Sequence, residues 1–239
     1  HGGGTAAGGL LCIVCGREDN IVKESNQLFR WLFYLLGLLI LAVGLTLNTK
    51  TGQGVTPIVS VPYCISQLSG LNFGNMTLLI YCLFVAAQFL IKGKKARWTD
   101  LLQVPLSIVF TRFMNLFDRL LDFEPQGTAA TLLLAAAILC TGVGAAMSVN
   151  MNLVPNPGDG IVAVLAQRTG REMGLVKNCF DLLNVCLTLA MGFAFAQPFC
   201  GIGLGTLLAM VGVGRVIALF NRFCRLPLGR LAGLEAAAA

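Results

Sequence analysis

The chain has 239 residues, of which 56% are hydrophobic and only 12% are charged, whereas soluble domains carry about 25% charged residues. Uncharged runs cover residues 51–91, 125–158 and 182–214, and each exceeds the ~20 residues that one transmembrane helix requires. The composition therefore excludes a soluble globular domain and predicts an all-α, polytopic membrane protein. In such a protein the net charge of +6 reports membrane topology, so no nucleic-acid partner is expected.

Both ends of the chain are predicted to be tails outside the membrane region. Residues 1–27 begin with HGGGTAAGG, which is typical of a linker or tag, and the tail at residues 227–239 ends in LEAAAA. Cys12 and Cys15 have the spacing of one zinc knuckle, but a closed zinc site needs four ligands and no second pair follows. We therefore predict no metal site and no cofactor.

Apolar segments between these tails predict six membrane spans, three in a first repeat at residues 28–124 and three in a second repeat at residues 125–226. The predicted spans cover residues 31–47, 75–91, 101–117, 128–147, 175–196 and 202–220. Two further segments, one after the first span and one after the fourth, are apolar but shorter.

These two shorter segments carry the signals of short helices. Thr56-Pro57 and Asn156-Pro157 each place a capping side chain before a proline that fits the first helical turn. Gly70 and Gly170 then supply the left-handed residue that often ends a helix. About 13 residues at 1.5 Å each extend roughly 20 Å, which is less than the ~30 Å thickness of the hydrocarbon core. We therefore predict two re-entrant half-helices.

A period of about 100 residues relates the two halves of the chain, which indicates a duplication. Because each half has three spans, the second repeat must enter the membrane upside down relative to the first. This arrangement leaves only Lys50 and Arg119 among the basic residues outside the cell, as the positive-inside rule favours. Inverted repeats with half-helices are a recurring plan of transporters, with the site near the membrane midplane. The aligned pairs include Pro57 and Pro157, Gln67 and Gln167, Gly70 and Gly170 and, after a shift of three residues, Arg112 and Arg215.

The segments PNPGDGIVAVLAQRTG, VKNCFDLLNV and GIGLGTLLAMVGVG, with GVTPIVSVPYCIS in the first repeat, resemble the YczE/YyaS/YitT group of bacterial integral membrane proteins. The resemblance covers roughly residues 30–225, and its motifs consist of placed glycines and prolines. It implies a six-span protein of the bacterial inner membrane, for which transport or export of small molecules is the usual suggestion. One departure is Arg215, where many relatives have an uncharged residue.

Two aspartates and a lysine are the leading candidates for binding an ion or a substrate. Asp159 falls in the first turn of the second half-helix, where it either couples a proton or cation or neutralises the positive end of its own helix. Lys177 and Asp181 are four residues apart and share a helical face. They form either a local ion pair or, together with Asp159, a second protonatable site.

Arg112 and Arg215 occupy matching places in the third and sixth spans. An arginine near a helix end can extend to the lipid headgroups, whereas an inward-facing pair would hold an anionic substrate or neutralise the aspartates. Further polar residues that would line a path, or instead join helices by hydrogen bonds, are Asn156, Thr56, Ser60 and Gln103.

These features favour a secondary transporter that moves a small amphipathic or anionic molecule by alternating access, coupled to a proton or cation. A channel with paired half-helices, and an accessory or substrate-binding subunit of a larger transporter, stay open as alternatives. No enzyme is predicted, because the membrane region has no histidine and no GxSxG, HExxH or Walker motif. Both termini are expected in the cytoplasm, with membrane lipids as partners, and a homo-oligomer is compatible with the sequence.

Overall fold

The computed structural model describes residues 6–123 and 125–234, with side chains from residue 26 onward. The side chains of Cys12 and Cys15 and the extreme ends of both predicted tails therefore lie outside what is described. The secondary structure in these ranges consists of helices, including two 3-10 turns, Gly93–Lys95 and Trp98–Leu102. The α-helices are α1 (Ala6–Lys50), α2 (Pro57–Ser69), α3 (Phe73–Lys92), α4 (Gln103–Leu120), α5 (Thr128–Asn150), α6 (Pro157–Thr169), α7 (Met173–Ala194) and α8 (Leu204–Leu231).

Each predicted span coincides with one helix, but the helices differ in how well they suit a bilayer. Over the described residues, five segments are long and apolar enough to cross a membrane. These are Asn26–Lys50, Phe73–Lys95, and the helices α5, α7 and α8. The remaining long helix, α4, has 18 residues that include Arg112, Asp118 and Arg119. The chain is thus an all-helical membrane protein with five helices that qualify as spans by length and composition.

Two helices are longer than the sequence predicted. α1 runs without a break from Ala6, so residues 6–27 continue the first span as helix where a separate tail was expected. The reason is the absence of a breaking residue, since no proline occurs before Pro57. α8 also continues past the expected end at Phe220 to Leu231, with Pro227 inside this extension. At 1.5 Å per residue the 45 residues of α1 extend about 68 Å, so this helix projects well beyond a bilayer.

The two short helices begin and end where the sequence predicted. α2 starts with Pro57 and α6 with Pro157, and each has 13 residues. Each ends at a glycine in the left-handed region, Gly70 with φ of 69° and Gly170 with φ of 64°. Both half-helices are therefore confirmed as elements, and their length leaves them too short to span a bilayer.

α1 and α5 form the centre of the bundle and pack closely along their length. Glycines permit this approach: a Cβ on Gly44 would lie 2.5 Å from the backbone nitrogen of Thr141, and one on Gly144 would overlap the backbone of Leu41. The other helices pack around this pair in matching positions, with α4 on α1 and α8 on α5, and with α6 on α3 and α2 on α7. One pair is unmatched, because α3 packs on α4 whereas α7 and α8 make no comparable contact over the described ranges.

Several helix ends meet around one cleft of about 630 Å³, and we call this end of the bundle the Lys50 face. It includes Lys50 at the end of α1, Asn72 just before α3, Asp118 near the end of α4 and Gly127 just before α5. The Nζ atom of Lys50 lies 2.8 Å from Asp118 Oδ1. Since α1 ends and α3 begins at this face, the α2 segment enters the bundle and returns to the side from which it came.

The other end of α5 lies at the opposite end of the bundle, which we call the Arg30 face. Here Arg30 Nη2 donates to the carbonyl oxygen of Met151 at 3.0 Å, which satisfies one of the carbonyls left free where α5 ends. Asn150 Nδ2 donates to Asn221 Oδ1 of α8 at 2.8 Å. The described start of the first span and the ends of α5 and α8 therefore share this face.

Candidate functional site

The N-terminal ends of α2 and α6 meet inside the bundle. Ile58 packs directly on Gly158, where an added Cβ would lie 2.7 Å from Ile58 Cδ1. A cavity of about 260 Å³ lies beside this contact, with walls from α1, α3, α5, α7 and α8 as well as the two short helices. Because both short helices start here, the positive ends of two helix dipoles are directed at one space.

Five of the residues predicted from the sequence line this cavity: Asp159, Asn156, Thr56, Lys177 and Asp181. The side chain of Asp181 is buried, and its Oδ2 atom lies 3.4 Å from Lys177 Nζ. Asp159 is half-buried and is close enough to Asp181 for the two carboxylates to interact electrostatically. The fold thus gathers two carboxylates and one ammonium group from α6 and α7.

Ser60 lies behind the cavity wall, where it positions the first turn of α2. It is fully buried, its hydroxyl donates to the Pro57 carbonyl oxygen at 2.8 Å, and it shares a 2.8 Å hydrogen bond with the Thr188 hydroxyl of α7. This contact ties the start of α2 to the second half of the chain.

Gln103 has the corresponding place behind α6. The side-chain amides of Gln88 and Gln103 donate to each other in both directions at 3.0 Å, and both residues are 1% exposed. Gln88 Nε2 also donates to the carbonyl oxygen of Pro157 at 3.3 Å. Ser60 and Gln103 are therefore positioning residues for the two short helices and do not line the cavity.

The structure does not bring Arg112 and Arg215 to the cavity. Both side chains are exposed, and Arg112 Nη1 donates to Asn75 Oδ1 at 3.1 Å. On α8 the cavity is lined by residues at helical spacing that include Met210, Val213 and Ile217, and Arg215 falls between these positions on another face. An anion held in the cavity by two arginines is thus incompatible with this arrangement.

Three buried oxygen atoms of the cavity lining have no hydrogen-bond partner among the described residues: Asp181 Oδ1, Thr56 Oγ1 and Thr141 Oγ1. Their residues are only 4%, 5% and 5% exposed. Buried polar groups are nearly always hydrogen-bonded, and one left unsatisfied costs about 1–3 kcal/mol. Each of these oxygens is itself enclosed by surrounding protein atoms, so the three are buried polar atoms of the cavity wall.

The two helix N-termini at the cavity differ in charge and capping. In α6, Asn156 Oδ1 accepts a hydrogen bond from the Gly158 amide at 3.2 Å, and Asp159 adds a negative charge in the first turn. In α2, the Thr56 side chain makes no capping hydrogen bond and no acidic residue occupies the first turn. The end of α6 is therefore compensated by its own residues, whereas the end of α2 is not.

Positions 100 residues apart in the sequence contribute to the lining of the same cavity. Both members of several such pairs contribute to its lining. The pairs are Leu41 and Thr141, Leu45 and Ala145, Thr56 and Asn156, Ile58 and Gly158, and Tyr81 and Asp181. Tyr81 and Thr141 were not predicted as site residues, although the repeat carried the signal: Tyr81 is the partner of Asp181 in the alignment of the two halves.

A second space, of about 10 Å³, occupies the equivalent place between α3 and α4. It is almost filled by Tyr81 and Phe110, whose rings stack with centroids 6.2 Å apart. The residues aligned with them in the second half are Asp181 and Val213. Their smaller side chains leave the larger cavity open between α7 and α8, which explains why those two helices lack close contact.

The cavity is closed towards the Lys50 face. The segment before α2 and the segment before α8 are joined there by two backbone hydrogen bonds of 2.8 Å, from Val55 to Gly201 and from Gly205 to Gln53. Gly54 lies at this junction with φ of 103°, and a Cβ there would lie 2.5 Å from the Gly203 nitrogen. In the other direction the lining reaches the start of α7 and the later turns of α8, on the side of the Arg30 face.

Comparison with known proteins identifies the family. Residues 28–222 match the model of DUF6198, a family of unknown function. The chain is similar to the uncharacterized membrane protein YczE of Bacillus subtilis (strain 168), with 26% identity over 81% of this chain and 86% of that protein. It is also similar to an uncharacterized protein of Haemophilus influenzae, at 27% over 81% and 84%, and to YyaS of Bacillus subtilis, at 22% over 80% and 92%. No solved structure matches the chain. The expected resemblance to YczE and YyaS is thus confirmed, and the chain belongs to the DUF6198 family.

Proposed function

We propose that the protein is a secondary transporter of the bacterial inner membrane that carries a small molecule through the cavity at the meeting point of α2 and α6. The observation that carries this proposal is the central cavity at which both short helices begin and which Asp159, Lys177 and Asp181 line. Ionisable side chains inside a membrane bundle are costly, and they commonly mark the path of a substrate or an ion. Three of them around one central space are therefore expected where a substrate is bound.

The proposed architecture is two inverted repeats of three spans, with α2 and α6 re-entrant. Three observations support it: α2 returns to the Lys50 face, helices of the two halves pack in matching pairs, and positions 100 residues apart share the cavity. α4 then serves as the third of the six spans, because it ends at the Lys50 face whereas α3 begins there. Its charge at Asp118 is paired with Lys50, which lowers the cost of placing α4 in the bilayer.

In this proposal the structure corresponds to one state of an alternating-access cycle, open towards the Arg30 face. Inverted repeats permit a second state in which the two halves exchange conformations. In that state α7 would pack on α8 as α3 now packs on α4, and the Tyr81–Phe110 stack would separate. The cavity would then open to the Lys50 face after the hydrogen bonds at Val55 and Gly205 break.

Reporter fusions test the topology. With both termini cytoplasmic, fusions after Asn72, Gly127 and Phe199 are expected to report the external side, and fusions after Lys95 and Glu172 the cytoplasmic side. The physical reason is that 13-residue helices cannot cross a ~30 Å core. Asn72 inside together with Lys95 outside would mean that the short helices cross, and the inverted-repeat proposal would then be wrong.

Cysteine accessibility tests the transport cycle without a known substrate. In a cysteine-free background, Thr141→Cys is expected to react with a membrane-impermeant maleimide from both sides of the membrane. Leu132→Cys is the matched control on the same helix, because Leu132 is 73% exposed on the bundle surface and should react from neither side. Labelling of position 141 from one side only would contradict a carrier mechanism and would favour an accessory or substrate-binding subunit.

Cross-linking separates a carrier from a channel in the same assay. Asn178→Cys and Gly214→Cys line the cavity from α7 and α8, so joining them should block cytoplasmic access to position 141. A carrier is expected to show faster labelling from outside after this cross-link, since closing one side favours the opening of the other. A channel would show unchanged labelling from outside.

Proton coupling through Asp159 and Asp181 is part of the proposal. The ratio of inside to outside labelling at position 141 should change with pH and lose that dependence in Asp159→Asn or Asp181→Asn, because an amide does not titrate. Asp118→Asn, at the Lys50 face, serves as the control that retains it. Equal pH dependence in all three variants would exclude these aspartates as the coupling groups.

A further inference from the structure

Two cysteines meet where the segment before α8 packs on α2. Cys64, in α2, is fully buried, and its Sγ atom lies 4.0 Å from the Thr188 carbonyl oxygen of α7. Cys200, in the segment between α7 and α8, is half-buried and shares a side-chain hydrogen bond with Cys64. Both thiols are free. Because two free thiols in contact can be joined by oxidation, this pair is a candidate disulfide.

The backbone around the two cysteines keeps their thiols together. The amide of Val55, just before α2, donates to the Gly201 carbonyl oxygen at 2.8 Å. Gly201 follows Cys200 and packs on Tyr63, which precedes Cys64: a Cβ added to Gly201 would lie 2.5 Å from Tyr63 Cδ1. The two thiols therefore belong to the junction that closes the cavity towards the Lys50 face.

The repeat places such a pair in one half only. In the alignment of the two halves Cys64 corresponds to Val164 and, after the shift of three residues, Cys200 corresponds to Arg97. The equivalent positions therefore carry no thiol. In the proposed topology the cysteine pair lies on the outer side of the membrane and the equivalent positions lie on the cytoplasmic side. Since the cytoplasm keeps thiols reduced, the pair is on the side where a disulfide persists.

We propose that Cys64 and Cys200 form a reversible disulfide that locks the cavity shut towards the Lys50 face under oxidising conditions. This inference rests on the proposed transport function, because it assigns a control to the outer side of the same cavity. The backbone hydrogen bonds at Val55 and Gly205 must break for that side to open. A covalent link between α2 and the segment before α8 prevents this separation, so oxidation holds the protein open towards the Arg30 face and reduction releases it.

The oxidant is a disulfide outside the cytoplasm. The thiolate of Cys200, the more exposed of the two cysteines, attacks one sulfur of this disulfide, whose S–S bond breaks and releases a first thiolate. Cys64 then attacks the Cys200 sulfur in the mixed disulfide and displaces the second thiolate. The protons of both cysteines end on the two released sulfurs, so two cysteine thiols are oxidised while one disulfide is reduced to two thiols. A reducing dithiol reverses both steps.

Disulfide formation is tested with oxidised glutathione on the purified full chain, with all cysteines except Cys64 and Cys200 replaced by serine. Thiols counted with a maleimide after denaturation are expected to fall from two to none, and a dithiol reductant should restore both. Cys64→Ser in this protein is the matched control, because the remaining Cys200 should retain one glutathione as a mixed disulfide. Two thiols that persist, or glutathione retained on Cys200 in the presence of Cys64, would overturn the inference.

If this variant fails to fold, the chain with its natural cysteines gives the same answer. After oxidation, mass spectrometry of its proteolytic fragments should find the fragment with Cys64 joined to the fragment with Cys200. Both fragments recovered with free thiols would count against the pair.

The lock is tested by labelling position 141 in membrane vesicles, with Thr141→Cys added to the protein that retains the pair. Oxidation is expected to lower the rate of labelling from outside about tenfold or more, since the link removes the conformations open to that side. Labelling from inside should persist, and reductant should restore labelling from outside. Cys200→Ser is the control: it exposes position 141 to the same oxidant but cannot form the link.

The outcome is separable from that of the transport proposal. Labelling from both sides in the reduced protein, with equal outside labelling of the oxidised pair and the oxidised Cys200→Ser control, would leave a carrier and overturn the lock. Labelling from one side only in the reduced protein would contradict transport, whereas a disulfide formed in that protein would still support the pairing of the two thiols.

Discussion

Replacing Gly144 by alanine is expected to destabilise the protein strongly, because Gly144 lies where α5 packs closely on α1. The new Cβ would overlap the backbone of Leu41 and lie 2.7 Å from the carbonyl oxygen of Gly37. Because the neighbouring atoms belong to the backbone of α1, no change of rotamer relieves the overlap, and α1 and α5 must move apart. Overpacking typically costs 1–3 kcal/mol, and we expect about 3 kcal/mol here.

The measurement is the fraction of monodisperse protein that remains after heating in detergent. Gly214→Ala is the matched control, since it is also a helical glycine but nothing lies within 4 Å of its added Cβ. Alanine stabilises a helix by roughly 0.5–1 kcal/mol relative to glycine, so this variant should melt at or above the temperature of the unchanged protein. Equal melting of Gly144→Ala and Gly214→Ala would contradict the close crossing of α1 and α5.

Replacing Gln88 by leucine is expected to loosen the first turn of α6 and to lower stability by about 1–3 kcal/mol. The change leaves the amide of Gln103 buried without its reciprocal partner and removes the donor to the Pro157 carbonyl. Gly160 packs against this amide pair, with an added Cβ 2.9 Å from Gln88 Oε1. Asp159 immediately precedes Gly160 in the chain and lines the cavity, so its position depends on the pair.

The double variant Gln88→Leu with Gln103→Leu distinguishes a hydrogen-bonded pair from independent packing. Replacing both partners by apolar groups removes the unsatisfied amide, so the double variant should be more stable than either single variant. Melting temperatures of the four proteins complete the cycle. If the stability lost in the double variant equals the sum of the losses in the two single variants, the two amides do not depend on each other. The positioning role assigned to Gln103 would then be wrong.

Local signals in the sequence were sufficient for the elements. The proline at the first turn and the left-handed glycine at the end bound α2 and α6 within one residue, because these residues act through the backbone at their own position. The start of α1 was predicted too far along the chain. A change from apolar to polar composition does not end a helix in the absence of a breaking residue, and α1 continues through it.

The residues that line the cavity were predicted in part. Asp159, Lys177 and Asp181 were found because an ionised side chain in an apolar run is conspicuous and because a four-residue spacing shares one helical face. Arg112 and Arg215 were equally conspicuous, yet both lie on exposed faces. Conspicuous charge marks a residue as costly to bury, but only the rotation of its helix decides whether it faces the cavity or the surface.

The membrane class and the two short helices could be predicted from the sequence, since each depends on composition or on residues close together in the chain. Which polar groups meet became visible only in the folded bundle. The contact of Ile58 with Gly158 and the hydrogen bond from Gln88 Nε2 to the Pro157 carbonyl oxygen join residues far apart in the chain. The two halves also carry different side chains at matched positions. Tyr81 and Phe110 fill one space while Asp181 and Val213 leave the other open, because side-chain volume acts through neighbours that only folding supplies.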